Sequence, residues 1–286
     1  MATSKSLLVV VLEINKSLFV SKSNSPKSLN SFANAIVAFL KSHHLLNRDN
    51  RSMTIACGNN RAEFLAQENY DSTTYATFSS SLASRIEKFG TSGGGGLGSA
   101  VSMALCHIQK YVFSFFFSFE RSDPVMNLHI HFTRSTKKNP DLRSRILVIR
   151  TFEDFSSQYV SLMNSIFCAQ KFNVIIDSCI LNSSDSAMMQ QASHATGGIY
   201  HRVREDNRPI LVQYLLAVFS SDPHVRQKLL MPRARLVDYR ASCFCHSKLV
   251  NQGYVCAVCL SVFCEQPKSK CPTCGVSIGG TDASSS

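Results

Sequence analysis

The chain has 286 residues, 44% of them hydrophobic and 17% charged, with a formal net charge of +11. That length accommodates one large domain and a small one, and that apolar fraction supplies a buried core, which excludes a wholly disordered chain. The positive excess suits an acidic partner or nearby nucleic acid but names neither.

Residues 6–12 (SLLVVVL) are a continuous valine-rich run, the pattern of a strand buried on both faces of a parallel sheet. After a polar stretch containing Pro26, residues 29–43 place Phe32, Ile36, Phe39 and Leu40 at helical spacing, with Ser28 and Asn30 as candidate caps. His43 and His44 fall at the end of that helix, where they favour its dipole. Residues 53–57 predict a second strand, followed by a Gly-Asn-Asn turn. Helices are expected over 79–89 and 98–110, the second opened by the glycine-rich stretch 93–98. That stretch lacks the G-K-[ST] ending of a phosphate-binding loop and follows a helix, so flexibility is its better account. Residues 111–132 break the pattern with Phe113, Phe115, Phe116, Phe117 and Phe119, followed by a basic run to Lys137 and Lys138. They read as an insertion near 111–140, with three readings: an extra hairpin, a partner-binding insert, or a stretch of non-functional sequence.

The alternation then resumes. Residues 145–149 (RILVI) predict a strand, and 159–170 an amphipathic helix with Val160, Met163, Ile166 and Phe167 on one face. Residues 173–179 predict a strand, 187–196 a helix stopped by Gly197-Gly198, 199–203 an edge strand, and 210–219 a last helix ending near Pro223. The whole implies an α/β fold, a mainly parallel sheet with helices on both faces. The expected divisions are a domain over 6–222, a basic linker over 223–240, a cysteine-rich module over 241–276, and a disordered Gly/Ser-rich tail over 277–286. Arg226, Lys228, Arg233, Arg235, Arg240 and Lys248 oppose only Asp238 between residues 224 and 248. No aromatic residues alternate with them as a stacking surface requires, so a solvated linker is the preferred reading.

Of the 11 cysteines, Cys57, Cys106, Cys168 and Cys179 are scattered, and seven crowd into residues 243–274. Residues 7–12 are too short for a signal core, and no stretch reaches transmembrane length. A reducing compartment is therefore expected, where clustered thiols hold metal more often than they form disulfides. Two C-x-x-C pairs, Cys256/Cys259 and Cys271/Cys274, supply the four thiolates of a tetrahedral zinc site, with Pro272 and Gly275 suited to the turn. Cys243, Cys245, His246 and Cys264 have two readings: a second, cross-braced site, or buried thiols. A zinc ion with four protein ligands has no open position, so its role is structural.

The segments DYRASCFCHSKLVNQGYVCAVCLSVFC, SSQYVSLMNSIFCAQK and QQASHATGGIY resemble the family of smaller von Willebrand A-type subunits of the general transcription and DNA-repair factor TFIIH. The resemblance runs from about residue 6 to 274, the insertion excepted. It implies a von Willebrand A domain followed by a zinc module. It further implies a nuclear, non-catalytic TFIIH core subunit, acting in transcription by RNA polymerase II and in nucleotide excision repair of DNA damage. The implied partners are the larger von Willebrand A-type subunit and the other core subunits including the helicases, with DNA met indirectly and no membrane.

Metal-binding von Willebrand A domains carry D-x-S-x-S after the first strand, a threonine at a helix-opening loop and an aspartate after a later strand, oxygen ligands suited to Mg2+. Here the first motif reads Glu13-Ile14-Asn15-Lys16-Ser17, Ser99 stands for the threonine, and Arg150-Thr151 follows RILVI. Lys16 and Arg150 would repel a cation, so the site reads as degenerate. Glu13, Asn15, Ser17 and Ser99 are expected to shape a loop surface that a partner covers. Two other classes remain in view: a RING-like ubiquitin ligase, and a zinc-dependent DNA-binding protein whose affinity would fall steeply with salt.

Overall fold

The structure is a computed structural model that describes residues 5–15, 27–58, 60–66, 78, 82–84, 95–119, 142–155, 158–204, 210–232, 237, 239–241, 243–246 and 250–277. In chain order the elements begin with β1 (Lys5–Glu13), α1 (Lys27–Leu46), β2 (Arg51–Gly58), β3 (Arg61–Ala66) and α2 (Leu97–Phe119). They continue with β4 (Leu142–Arg150), α3 (Tyr159–Lys171), β5 (Ile175–Ile180), α4 (Ala187–Thr196) and β6 (Tyr200–Arg202). The last are α5 (Leu211–Tyr214), which runs on as a π turn through Leu215–Phe219, then α6 (Pro223–Arg226), β7 (Tyr254–Val255) and β8 (Val262–Phe263).

The first six strands form one sheet in the order β3-β2-β1-β4-β5-β6, parallel except for β3 at the edge. β1 lies at its centre, with Val9 opposite Met53 on one side and Ile146 on the other. That position explains its unbroken apolar run, because a central parallel strand is covered on both faces. Alternation divides its side chains between two cores. Leu8, Val10 and Leu12 meet α1 and α5 through Ile36, Phe39, Leu40 and Phe219. Leu7, Val9 and Val11 meet α2, α3 and α4 through Val101, Ile166 and Met189. This is the von Willebrand A architecture that the resemblance implied.

Several elements depart from the sequence reading. β3 was not anticipated, because RAEFLA lacks β-branched residues, and its antiparallel pairing with β2 forms through the turn at Asn60 (φ 58°). α2 runs through residues 111–119, so the first part of the suspected insertion continues a helix. The remainder of 111–140 lies outside the described residues, as does most of the helix expected over 79–89. α3 also turns a different face inward: Leu162, Ser165, Ile166 and Ala169 are buried, while Val160 and Phe167 are 47% and 57% exposed. The helical segment expected over 210–219 stops at Phe219, and Pro223 opens a further short helix, at a first-turn position where its missing N–H costs nothing. The stop at Gly197 and Gly198 is as expected. Gly197 is left-handed (φ 72°), and a Cβ on Gly198 would lie 2.0 Å from the Ile176 carbonyl oxygen.

Buried charge ties the last helices to the sheet. Arg145 donates to the carbonyls of Phe219, Ser220 and Ser221 at 2.6, 3.2 and 3.2 Å, satisfying groups left open at the end of the π turn. Arg226 grips Asp177 through both terminal nitrogens at 2.8 and 2.6 Å, and Asp177 also accepts the Ile199 N–H. Arg226 is therefore not part of a solvated basic strip, because an uncompensated Asp177 in the interior would be too costly. Among the other strip residues, Arg240 donates to Asn251 at 2.9 Å, and Arg233, Arg235, Asp238 and Lys248 lie outside the described residues. His43 corrects a second charge assignment. Burial and the nearby Arg145 push its pKa down to about 3. Burial also lowers His44, whose Nε2 lies 2.8 Å from Ser52 Oγ. Neither imidazole lends charge to the α1 dipole at neutral pH. No helix among the described residues is long and apolar enough to cross a membrane.

Candidate metal centres

The first candidate lies at the C-terminal edge of the sheet, where β1 delivers Glu13 and β4 delivers Arg150. Both residues are fully buried. Arg150 Nε lies 2.5 Å from Glu13 Oε2. Its Nη1 pairs with Asp154 and reaches Ser186 Oγ at 3.2 Å, and its Nη2 donates to the Glu153 carbonyl at 2.6 Å. Asp154 sits at the start of α4, accepting the Met188 N–H at 3.1 Å and the Ser186 hydroxyl at 2.5 Å. Ser186 caps the same helix through the Met189 N–H. Burial raises the pKa of Glu13, and the charge of Arg150 and the Gly95 N–H act against that rise. For Arg150, burial alone would lower the value, but Glu13 and Asp154 outweigh it and the net shift is upward.

Glu13 is thus an interior ion-pair partner and not part of a loop surface, which corrects the sequence reading. Asn15 donates its N–H to Thr151 Oγ1 at 2.5 Å, so it joins β1 to β4 through the backbone. Ser99 is exposed in the first turn of α2, and Lys16 and Ser17 lie outside the described residues. Sequence spacing aligned Glu13 with a metal ligand. Asp154 lies four residues beyond Arg150, past the position where a ligand is expected, and Ser186 reaches the rim only once α4 packs beside the sheet, so neither role follows from motif spacing.

The second candidate is the cysteine-rich segment. All 11 cysteines are free thiols. Cys256, Cys259, Cys271 and Cys274 bring their sulfurs within 4.8 Å of one another, and so do the donor atoms of Cys243, Cys245, His246 and Cys264. In the first quartet Cys256 and Cys274 are 3.8 Å apart and Cys259 and Cys271 3.6 Å. A tetrahedron with zinc–sulfur bonds of about 2.3 Å has edges of about 3.8 Å, so this quartet fits zinc. In the second, Cys264 Sγ lies 3.2 Å from Cys245 Sγ and 3.1 Å from His246 Nδ1, a tighter cluster of three thiols and an imidazole.

Local structure explains how the first quartet converges. Cys256 accepts the Leu260 N–H at 2.9 Å, and Cys271 accepts the Gly275 N–H at 2.9 Å. The Cys256 N–H donates to Ser261 at 3.0 Å, and the Cys271 N–H to Val276 at 2.8 Å. The residue after each pair is left-handed, Leu260 at φ 58° and Gly275 at φ 72°. The two C-x-x-C pairs are therefore one knuckle built twice. Gly275 was legible as a turn residue, but Leu260 was not, because a leucine gives no signal for a positive φ. The Ser261 hydroxyl, 3.1 Å from Cys259 Sγ, and the Ser261 amide favour the Cys259 thiolate, bringing its pKa to about 6. Phe244 lies against this cluster and meets Tyr159 of α3 edge to face, with centroids 6.3 Å apart. Tyr239 hydrogen-bonds His194 of α4. These contacts set the cysteine segment against the large sheet's helices.

The family model described as transcription factor Tfb4 matches residues 5–92 and 71–275. General transcription factor IIH subunit 3 of Dictyostelium discoideum is 34% identical over 92% of this chain and 71% of its own length. General transcription and DNA repair factor IIH subunit TFB4 of Arabidopsis thaliana is 35% identical over 98% of this chain and 92% of its own. A crystal structure of the TFIIH p34 N-terminal domain, 23% identical, superposes with a TM-score of 0.57 over 74% of this chain and 96% of that one. The family match spans both the sheet with its arginine-filled rim and the paired knuckles, and on it the chain belongs to the transcription factor Tfb4 family.

Proposed function

We propose that this chain is a non-catalytic structural subunit of a TFIIH core complex, supporting transcription and nucleotide excision repair by holding a partner subunit in place. The observation that carries the reading is the family match across both regions, joined to relatives whose names are those of TFIIH subunits. The partner is the larger von Willebrand A-type subunit, with the helicase subunits reached through the complex, and the compartment is the nucleus. The working division is the sheet region over 6–222 and the cysteine module over 241–276.

Each cysteine quartet holds one zinc ion in this reading. Cys256, Cys259, Cys271 and Cys274 bind one, and Cys243, Cys245, His246 and Cys264 the other. Zinc bound by four protein ligands supplies folding free energy and no reactive position. The chain's own groups prepare the sites: the knuckle amides close each turn, Ser261 favours the Cys259 thiolate, and Phe263 fills the space between.

Native mass spectrometry with metal analysis tests the proposal, on the chain alone and co-expressed with the larger subunit. The expected result is a one-to-one complex in which this chain carries two zinc ions. A metal-loaded chain that remains free beside that partner would defeat the scaffold reading. One zinc ion in place of two would remove the second site while leaving the scaffold intact.

A further inference from the structure

We infer that the guanidinium of Arg150 is the resident cation of the sheet's C-terminal rim, standing where this architecture otherwise admits Mg2+. The residues present do not fit the metal ion. Mg2+ requires octahedral oxygen ligation at about 2.0–2.1 Å. Here a buried cationic side chain already occupies the space between the carboxylates. Glu13 lies 2.5 Å from Arg150 Nε, Asp154 pairs with Nη1, Ser186 Oγ is 3.2 Å from Nη1, and the Glu153 carbonyl accepts from Nη2 at 2.6 Å. These four partners engage all three nitrogens of a group that has only five N–H donors, and the side chain is closed to solvent.

The guanidinium offsets part of the local negative charge without an ion. Glu13 and Asp154 bring two negative charges and Arg150 one positive. The α4 amide of Met188 faces Asp154 and adds the positive end of a helix dipole. A divalent ion entering beside Arg150 would face like-charge repulsion from the guanidinium.

The consequence concerns recognition. A rim-bound Mg2+ keeps coordination positions that a partner's carboxylate can complete. Arg150 offers none, because its guanidinium is buried against its own internal partners. The rim is therefore a fixed internal clamp joining β1, β4 and α4, and whatever docks on this end of the sheet does so without a metal bridge. Removing the guanidinium leaves Glu13, Asp154 and Ser186 as a cluster of hard oxygen donors around a vacated space, which is a latent divalent-cation site.

The test is a Mn2+ titration of the full chain with its zinc left in place, read by electron paramagnetic resonance. The wild-type chain is expected to show no saturable Mn2+ binding at millimolar concentration, and its melting temperature should not respond to Mg2+. Arg150→Ser is expected to gain one saturable Mn2+ site that Mg2+ displaces, and adding Glu13→Gln should remove it. A wild-type chain that binds one Mn2+ in a manner abolished by Glu13→Gln overturns the proposal. So does an Arg150→Ser chain that is folded by amide NMR and binds none. Should Arg150→Ser fail to fold without added Mg2+, recovery of the fold in Mg2+ supports the proposal, and failure to recover overturns it.

Discussion

Two regions of this chain carry the sequence marks of a metal site, and they stand in opposite structural circumstances. The rim at Glu13 rests on a six-stranded sheet flanked by two apolar cores. Its geometry is set by packing, and its charge is balanced by an arginine from the same sheet. The knuckles have little of either. Their interior consists of Cys256, Cys271 and Phe263, with Phe244 and Cys259 packed alongside. Val258 and Leu260 remain 67% and 71% exposed. Small units that cannot bury enough apolar surface must draw folding free energy from elsewhere, and a metal ion is one source. A large core can hold an internal ion pair in its place.

The largest effect should come from breaking the knuckles. Cys271→Ser, or removal of zinc by a chelator, is expected to cost the cysteine segment on the order of 10 kcal/mol of folding free energy. Amide NMR should then show the resonances of 243–277 collapsing while those of β1 and β4 persist. Loss of both sets together would mean that the two regions fold as one unit.

A smaller effect should come from acid, and it should act on the sheet region. His43 has its pKa depressed from 6.5 to about 3 in the folded chain. Its contribution to stability is therefore complete above pH 6.5 and lost as pH falls toward 3, with a slope approaching about 1.4 kcal/mol per pH unit. Glu13, raised by burial, acts in the opposite sense, its share being lost as pH rises through its folded value. Urea unfolding of the sheet region across this range should show a flatter acid limb in His43→Gln. An unchanged slope would show that His43 is not the titrating group.

The smallest effect sharpens the likeness between the two knuckles. Leu260 and Gly275 occupy equivalent left-handed positions, and only leucine is strained there. Leu260→Gly should relieve about 1 kcal/mol, partly offset by the greater freedom of glycine in the unfolded chain. Zinc affinity measured against a competing chelator should rise by up to about fivefold. A fall in affinity would mean that the leucine side chain contributes more by packing than its backbone costs.

Much of the fold was legible because its strands and helices have strong periods. The valine run of β1 and the stop of α4 at Gly197 express local chemistry that sequence carries directly. β3 carries no such signal, because its six residues, Arg61 and Glu63 among them, become a strand only when β2 offers an edge. The inward face of α3 is undetermined by sequence for a related reason: Phe167 and Ile166 are adjacent and similarly apolar, and only the position of β4 and α2 decides which is buried. Among the candidate site residues, the eight cysteine and histidine donors were nameable from spacing and Asp154 was visible as a carboxylate just past the strand, whereas Ser186 carried no signal.

By itself the sequence determined the α/β alternation, the clustering of soft donors in one short segment, and the presence of a basic residue where a carboxylate would be needed to hold Mg2+. Those are properties of residue type and local spacing. The tertiary structure alone decided what that basic residue does. Placing Arg150 beside Glu13 requires β1 and β4 to pair in register, and docking the neighbouring Asp154 on the first turn of α4 requires α3, β5 and α4 to fold back beside β4. Charges drawn together from distant parts of the chain interact strongly only once burial has removed the water between them.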